Sequence, residues 1–272
     1  MVVIAWALPS SLPERFAVHV DMNLDMLESN FSDLTGLLAE SSSAQSTAAV
    51  EGACAVITGI QRPKPGKLRV RNPVRRSNMR TTYKYPCWKA GRMLQCESKL
   101  EMEAYYLLDA FPAVSRISEQ AMRIDFEIDG QPMFHVPDVV LNFGRRVVIL
   151  EIKEDEKAQK RDAQHRTHHL TPALARRGFA YRVLTESLIR RQPRLDNVDW
   201  LLRRGRPLVG LGAASEVRAL LAGSGGCCSW GELLARNLDR EAAQLVLHGK
   251  LWVDLGHPVS LESRVFLAEG AE

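Results

Sequence analysis

The 272-residue sequence lacks features that mark several classes of protein. No apolar run approaches the ~18–20 residues of a membrane-spanning helix, so we expect no membrane partner. The five cysteines form no Cys-x-x-Cys pair and have no zinc-type spacing with histidine. The apolar start, residues 1–8, follows no Lys or Arg, which argues against a secretory signal. These absences, with 46% hydrophobic and 25% charged residues, predict a reduced, cytoplasmic globular protein.

Acidic residues are missing from one stretch of the chain. Residues 62–92 contain eleven Lys and Arg and no Asp or Glu, whereas residues 1–61 contain seven acids and one Arg. A basic block of this kind is typical of contact with a polyanion, and nucleic acid is the first candidate. A solvated linker is the alternative. Tyr83, Tyr85 and Trp88 interleave with the basic residues, which favours nucleic acid.

Hydrophobic patterning divides the chain into three parts. Residues 1–61 are rich in Ser and Ala and predict a weakly ordered acidic extension with a short helix near 22–40. Residues 62–194, with a basic lead-in over 62–96, predict an α/β domain in which helices flank a mixed sheet. Residues 195–272 predict three short helices and a hairpin, as in a small winged-helix-like domain.

Two acids interrupt apolar strands within HVPDVVLNFGRRVVILEIKEDEK, residues 135–157. If Gly144-Arg145 forms a two-residue hairpin turn, Asp138 faces Glu151 with Cβ atoms ~4.5–5.5 Å apart. Lys153 shares the strand face of Glu151. Two such carboxylates repel by roughly 3 kcal/mol at an effective dielectric of 20, and a divalent cation between them would offset this repulsion. The pattern therefore predicts part of an Mg²⁺ or Mn²⁺ site.

A third carboxylate comes from the helix predicted over residues 97–111. Glu101 flanks the apolar stripe of this helix rather than facing water. A helix packed on the sheet would bring Glu101 to the same sheet end as the acid pair. The alternative is a partly exposed helical glutamate.

These residues carry a resemblance to a known family. Pro137-Asp138 followed by Glu151-Ile152-Lys153 resembles the PD-(D/E)xK nuclease signature. The stretch from 75 to 120 resembles the N-terminal domain of the TnsA family, the endonuclease subunit of heteromeric transposases. The likeness covers roughly residues 70–190, and some family members have Gln at the position of Glu151. Its further motifs are Ser98-Lys99-Leu100-Glu101, Glu119-Gln120 and the VLTE at 183–186.

The resemblance implies a restriction-endonuclease-like fold and a magnesium-dependent cut of the 5′ strands at transposon ends during DNA transposition. The metal ligands that it implies are Glu101, Asp138, Glu151 and the Ile152 carbonyl, while Lys153 orients or deprotonates the attacking water. The implied setting is a bacterial cytoplasm. The implied partners are DNA, a transposase subunit and an AAA+ regulator of the TnsB/TnsC type. We assign DNA contacts to Arg75, Arg76, Arg80, Lys84 and Gln120.

Two other interpretations stay open. The chain could be a stand-alone PD-(D/E)xK nuclease for restriction, repair or phage defence, or a catalytically silent DNA-binding adaptor. The intact set of Glu101, Asp138, Glu151 and Lys153 argues against a silent adaptor.

Two features outside this set have their own interpretations. Residues 207–272 contain five bases against eight acids, which favours protein docking over DNA reading for the winged-helix-like domain. His165, His168 and His169 lie in a polar helical stretch with several bases. That pattern predicts a solvated or phosphate-facing helix rather than a zinc site.

Overall fold

The computed structural model describes residues 24–39, 55–72, 81–206 and 211–268. Arg75, Arg76 and Arg80 lie outside the described residues. In chain order the elements are α1 (Leu24–Ala39), β1 (Val56–Gln61), β2 (Tyr83–Cys87), β3 (Arg92–Cys96), α2 (Lys99–Ala110), β4 (Val114–Glu119), β5 (Arg123–Ile128), β6 (Gln131–His135), β7 (Val139–Phe143), β8 (Arg146–Lys153), α3 (Asp155–Ala158), α4 (Arg161–Ala175), β9 (Phe179–Thr185), α5 (Glu186–Ile189), α6 (Arg194–Gly205), α7 (Leu211–Gly223), β10 (Cys227–Ser229), α8 (Trp230–Ala235), α9 (Asp239–Leu247), β11 (Leu251–Val253) and β12 (Arg264–Leu267).

A four-stranded mixed sheet positions the acid pair. Its strand order is β4-β7-β8-β9, with antiparallel pairing except between β8 and β9. The predicted hairpin register is confirmed, because Phe143 pairs with Arg146 and Leu141 with Val148. Gly144 at the turn has φ +54°, a left-handed conformation that glycine adopts at little cost. The two-residue turn and the alternation of apolar residues on β7 and β8 therefore determine which side chains lie opposite one another.

The two faces of this sheet belong to two apolar cores. On one face, Val148 and Leu150 pack with the buried stripe of α2 that the sequence predicted, including Leu107. On the other face, Ile149 packs with Leu170 of α4 and Tyr181 of β9. A separate sheet of order β1-β5-β6 joins this second core. The predicted mixed α/β architecture with flanking helices is confirmed at this level.

Part of the predicted N-terminal extension is integral to the fold. The helix expected near 22–40 is present as α1, but its side chains Phe31, Leu34 and Leu38 are buried in the main core. Residues 56–61 pair with β5 as a strand. The short helix expected near residues 22–40 is confirmed, whereas the Ser- and Ala-rich composition of residues 1–61 had suggested a weakly ordered segment. Helix α1 is held in place because it buries these side chains against elements that lie far away in the sequence.

The predicted domain boundary at 194/195 coincides with the start of α6, and one apolar core crosses it. Leu201 and Leu202 of α6 share the main core with α2 and with Val246 of α9. A Cβ atom at Gly205 would lie only 2.7 Å from the backbone nitrogen of Gln244, so α6 and α9 approach closely. The C-terminal strands form a sheet of order β10-β12-β11. The C-terminal part is therefore packed onto the rest of the chain.

In the described ranges, no helix is both long enough and apolar enough to cross a membrane.

Candidate active site

The acid pair lies at one end of the mixed sheet. Val139 pairs with Leu150, so Asp138 and Glu151 occupy the next opposed positions. The backbone N–H of Ile152 donates to Asp138 Oδ2 at 2.8 Å, which holds the aspartate against β8. In an antiparallel ladder the N–H and C=O of one residue point to the same neighbouring strand. The Ile152 carbonyl oxygen therefore points toward the side occupied by Asp138.

Glu151 is surrounded by three basic side chains. It is 5% exposed, and Lys153 Nζ lies 2.6 Å from its Oε1. His135 Nε2 lies 2.9 Å from Oε2, and the Arg166 guanidinium lies 3.6 Å from Oε1. Burial raises the pKa of Glu151, but His135 and Lys153 outweigh burial and lower this pKa to about 2. The protein itself thus compensates Glu151, which corrects the argument that a metal ion is needed to explain this buried acid.

Asp138 is in the opposite electrostatic situation. Burial, the charge of Glu151 and the charge of Glu101 raise the pKa of Asp138 well above its ordinary value. Its hydrogen bond from Ile152 and the nearby Lys153 only partly oppose this rise. The ionised form of Asp138 is therefore unfavourable here, and a bound cation would stabilise it. The observation that fits a cation is the environment of Asp138, not that of Glu151.

Glu101 is buried at the beginning of α2, where it also serves the helix. The Ser98 hydroxyl accepts from the Glu101 N–H at 3.1 Å and donates to Glu101 Oε1 at 3.0 Å. Glu101 Oε2 accepts from the Glu97 N–H at 2.8 Å. The Ser-x-Leu-Glu motif is thus a helix N-cap in this chain. Glu101 is 9% exposed, so it is not the partly exposed glutamate of the alternative interpretation.

Within the described ranges, no group of three or more His, Cys, Asp and Glu side chains could hold a metal ion. The structure brings Asp138, Glu151 and Lys153 together. It places Glu101 near enough to raise the pKa of Asp138, but with its oxygens bonded to its own helix. Glu101 would have to leave these hydrogen bonds to become a ligand.

The lead-in docks beside Asp138 through Gln120. The Val70 N–H donates to the Gln120 carbonyl oxygen at 3.0 Å, and the Gln120 N–H donates to the Asp138 carbonyl oxygen at 2.9 Å. Arg71 Nε donates to Gln120 Oε1 at 3.1 Å. Gln120 is 2% exposed with φ +44°, a strained conformation for a residue other than glycine. The predicted DNA contact Gln120 is therefore a buried link between the lead-in and the site.

Several bases of the lead-in are used inside the protein. Arg69 and Arg92 both bind the fully buried Glu119 carboxylate, Arg69 at 3.0 Å. Lys89 Nζ donates to carbonyl oxygens of Leu108 and Phe111 at the end of α2, and burial lowers the pKa of Lys89 to about 7. These three bases serve the fold.

Other members of the lead-in stay at the surface. Lys84 is exposed on β2, as a DNA contact requires, and Arg71 is exposed beside the site. Tyr85, by contrast, is 2% exposed and donates its hydroxyl to Asp109 Oδ2 at 2.8 Å, so it cannot stack on a base. Some side chains of the lead-in therefore stabilise the fold, while others stay exposed and could contact DNA.

Two side chains that contact Glu151, namely His135 and Arg166, were not among the predicted site residues. The strand pattern suggests an exposed position for His135, yet it is 9% exposed and its Nε2 lies 3.4 Å from the Tyr181 hydroxyl. Arg166 lies on α4, in the polar stretch interpreted as a solvated or phosphate-facing helix. The contact of Arg166 with Glu151 depends on how α4 packs against β9, and that of His135 depends on where the end of β6 lies. The position of His135 two residues before Pro137 was the only sequence signal for either of them.

Compared with models of known protein families and with curated proteins, the chain matches none of either.

Proposed function

We propose that the protein is an Mg²⁺- or Mn²⁺-dependent DNA endonuclease of the PD-(D/E)xK type, acting as the TnsA-like subunit in DNA transposition. The observation that carries this proposal is the sheet end where Asp138, with its raised pKa, adjoins Glu151 and Lys153. A half-buried aspartate whose ionised form is unfavourable, next to a charged cluster, is typical of a functional site. A purely structural acid pair would leave this penalty unexplained.

The donor chemistry fits a hard divalent cation. Asp138, Glu151 and the Ile152 carbonyl would supply oxygen ligands, which Mg²⁺ and Mn²⁺ prefer. A bound ion would contribute charge neutralisation at a phosphate oxygen and at the attacking water. Glu101 would join this set only after giving up its bonds at the N-cap of α2. We therefore regard Asp138 and Glu151 as the principal ligands.

The remaining side chains favour an anionic substrate. Lys153 is held by Glu151 at 2.6 Å, in position to orient water and to stabilise negative charge in the transition state. Arg166 adds a permanent positive charge, and its buried Nε has no hydrogen-bond partner among the described residues. The positive charges of Lys153 and Arg166 exceed the single negative charge of Glu151, the carboxylate whose pKa is lowered. A phosphodiester group would restore the charge balance.

The packing of the C-terminal part supports a docking role for it. The element order from α7 to β12 and the sheet order β10-β12-β11 are compatible with a winged-helix topology. A DNA-reading winged helix leaves its last helix free to enter the major groove. Here α9 packs on α6, at the close approach of Gly205 and Gln244. We propose that the surface of this part binds protein partners such as a AAA+ regulator.

A cleavage assay with purified full-length protein tests the nuclease proposal. Supercoiled plasmid should be nicked with Mg²⁺ or Mn²⁺ and left intact by an Asp138→Asn variant. Manganese binding followed by electron paramagnetic resonance provides a readout that does not need partner proteins. The proposal would be contradicted if the protein neither nicked the plasmid nor bound manganese in a way that depends on Asp138. Mapping the 5′ ends cut in the presence of a co-encoded transposase tests the transposition role separately.

A further inference from the structure

A pair of histidines lies on α4, outside the site described above. His165 and His169 are four residues apart on this 15-residue helix. Their Nε2 atoms are 3.1 Å apart, and their ring centroids are 4.3 Å apart. Side chains at positions i and i+4 share one face of a helix. The same spacing is the one by which two helical histidines hold zinc in the H-E-x-x-H arrangement.

The distance between the two nitrogens matches a chelate. With metal–nitrogen bonds of about 2.0–2.1 Å, two nitrogens bound to one ion lie about 3.3 Å apart in tetrahedral geometry. They lie about 2.9 Å apart at a right angle, as in tetragonal or octahedral sites. The observed 3.1 Å lies between these values. An ion would replace the proton that one imidazole donates to the other, and the separation of the two nitrogens need change by only about 0.2 Å.

We propose that His165 and His169 form a binding site for a borderline transition-metal ion of the Zn²⁺, Ni²⁺ or Cu²⁺ class. Imidazole nitrogen suits these ions, whereas the oxygen donors around Asp138 suit Mg²⁺ and Mn²⁺. His165 is exposed and His169 half-buried, so water completes the coordination sphere. In the described part of the chain no third His, Cys, Asp or Glu joins the pair. This site is independent of the proposed nuclease function.

The surroundings of the pair give the site a moderate affinity and a consequence for α4. Arg161 and Lys160 lie within about one turn of His165, and their charges oppose cation binding. A bound ion links two successive turns of α4, between which lies Arg166, the neighbour of Glu151. Ligands that bind only the folded state stabilise it. Zinc should therefore raise the unfolding temperature of the protein.

His168 provides a matched control on the same helix. It is exposed, and its ring lies edge-on to His169 with centroids 5.3 Å apart, but no contact joins it to His165. Isothermal titration of Zn²⁺ and Ni²⁺ into untagged full-length protein should show one equivalent bound. His165→Ala and His169→Ala should each weaken this binding at least 10-fold, and His168→Ala should leave it within about 2-fold. The zinc-dependent rise in unfolding temperature should follow the same order.

Two results would overturn the proposal. One is zinc binding of unchanged affinity in both pair variants, as thiols such as the half-buried Cys227 would produce. The other is equal weakening in all three variants, which would indicate unspecific binding to surface imidazoles. His165→Gln, which keeps a polar side chain on the helix, serves as a second variant. Circular dichroism of the metal-free variants checks that α4 is intact.

Discussion

The Lys153 ammonium lies 2.6 Å from Glu151 Oε1, two residues away on the same face of β8. This pair places an acid and a base side by side at the end of β8, after the apolar run Val147–Leu150 of the same strand. Asp138 lies directly across the hairpin, and Lys153 compensates its charge only in part. The site therefore contains one stabilised and one destabilised carboxylate. Neutral substitutions of the two should therefore change the free energy of unfolding of the metal-free protein in opposite directions.

Glu151→Gln should abolish cleavage and lower the free energy of unfolding at neutral pH. It leaves Lys153 and Arg166 without their counter-charge, and the cost should fall below the ~3–5 kcal/mol of a fully buried pair because both cations are partly exposed. The folded-state pKa of Glu151 is lowered to about 2 from 4.5. Its contribution is therefore full above the unfolded pKa and is lost as the pH falls from about 4.5 toward 2. Urea unfolding of both proteins in EDTA, from pH 7 to pH 3, measures the shrinking difference.

Asp138→Asn should abolish metal-dependent cleavage but stabilise the metal-free protein by about 1–2 kcal/mol at neutral pH. The pKa of Asp138 is raised in the folded state, so its contribution to stability is present at low pH and is lost as the pH rises through that raised pKa. Asparagine keeps an oxygen acceptor for the Ile152 N–H. Thermal unfolding in EDTA should show the gain, and Asp162→Asn on the exposed side of α4 should not. A destabilised Asp138→Asn protein would refute this charge assignment.

Arg166→Gln should lower the cleavage rate at saturating DNA, by up to ~10²-fold if Arg166 stabilises developing phosphate charge. Its manganese affinity should not fall, because the substitution removes a positive charge that opposes cation binding at Glu151. Arg161→Gln changes an exposed arginine on the same helix and is the matched control. Single-turnover kinetics separate the rate from DNA affinity. Equal effects of the two substitutions would show that Arg166 only adds general positive charge.

Replacing Arg75, Arg76 and Arg80 with alanine should weaken DNA binding and reduce its salt slope by up to about three contacts. The docking of Val70 and Arg71 beside the site brings the preceding end of this segment close to Asp138. A variant with Arg236, Arg240 and Arg264 changed to alanine, all exposed in the C-terminal part, removes the same three charges and controls for net charge. Fluorescence anisotropy at several salt concentrations gives the slopes. An unchanged slope in the triple variant would indicate a solvated linker.

Gly205→Ala should destabilise the protein by about 1–3 kcal/mol, the usual cost of overpacking. The added Cβ would lie 2.7 Å from Gln244 N and 2.9 Å from Ala243 C, and a backbone cannot move aside as a flexible side chain can. Gly212→Ala, with nothing within 4 Å, makes the same change on α7 and should be neutral or stabilising. Urea unfolding compares the two.

Since the core crosses this contact, we also expect a chain ending at residue 206 to lose stability rather than only partner binding.

The sequence alone determined the features that depend on near neighbours in the chain. The β7–β8 register follows from a two-residue turn and a strand repeat of two, and this local geometry is sufficient to match Asp138 with Glu151. The apolar repeat predicted α2 over residues 97–111, close to its observed bounds Lys99–Ala110. The alternation on β8 likewise placed Lys153 beside Glu151. Each of these relationships is fixed by local backbone geometry.

Only the tertiary structure decided which charges face one another across the chain. Whether a lead-in arginine meets DNA or the buried Glu119 depends on contacts with β4, and net charge cannot distinguish Arg69 from Lys84. The approach of Arg166 to Glu151 depends on how α4 packs on β9. The position of α1 depends on a core that is built mostly from residues after 85. These contacts join segments far apart in sequence, where periodicity carries no information. The balance of charge around the acid pair was therefore decided by packing.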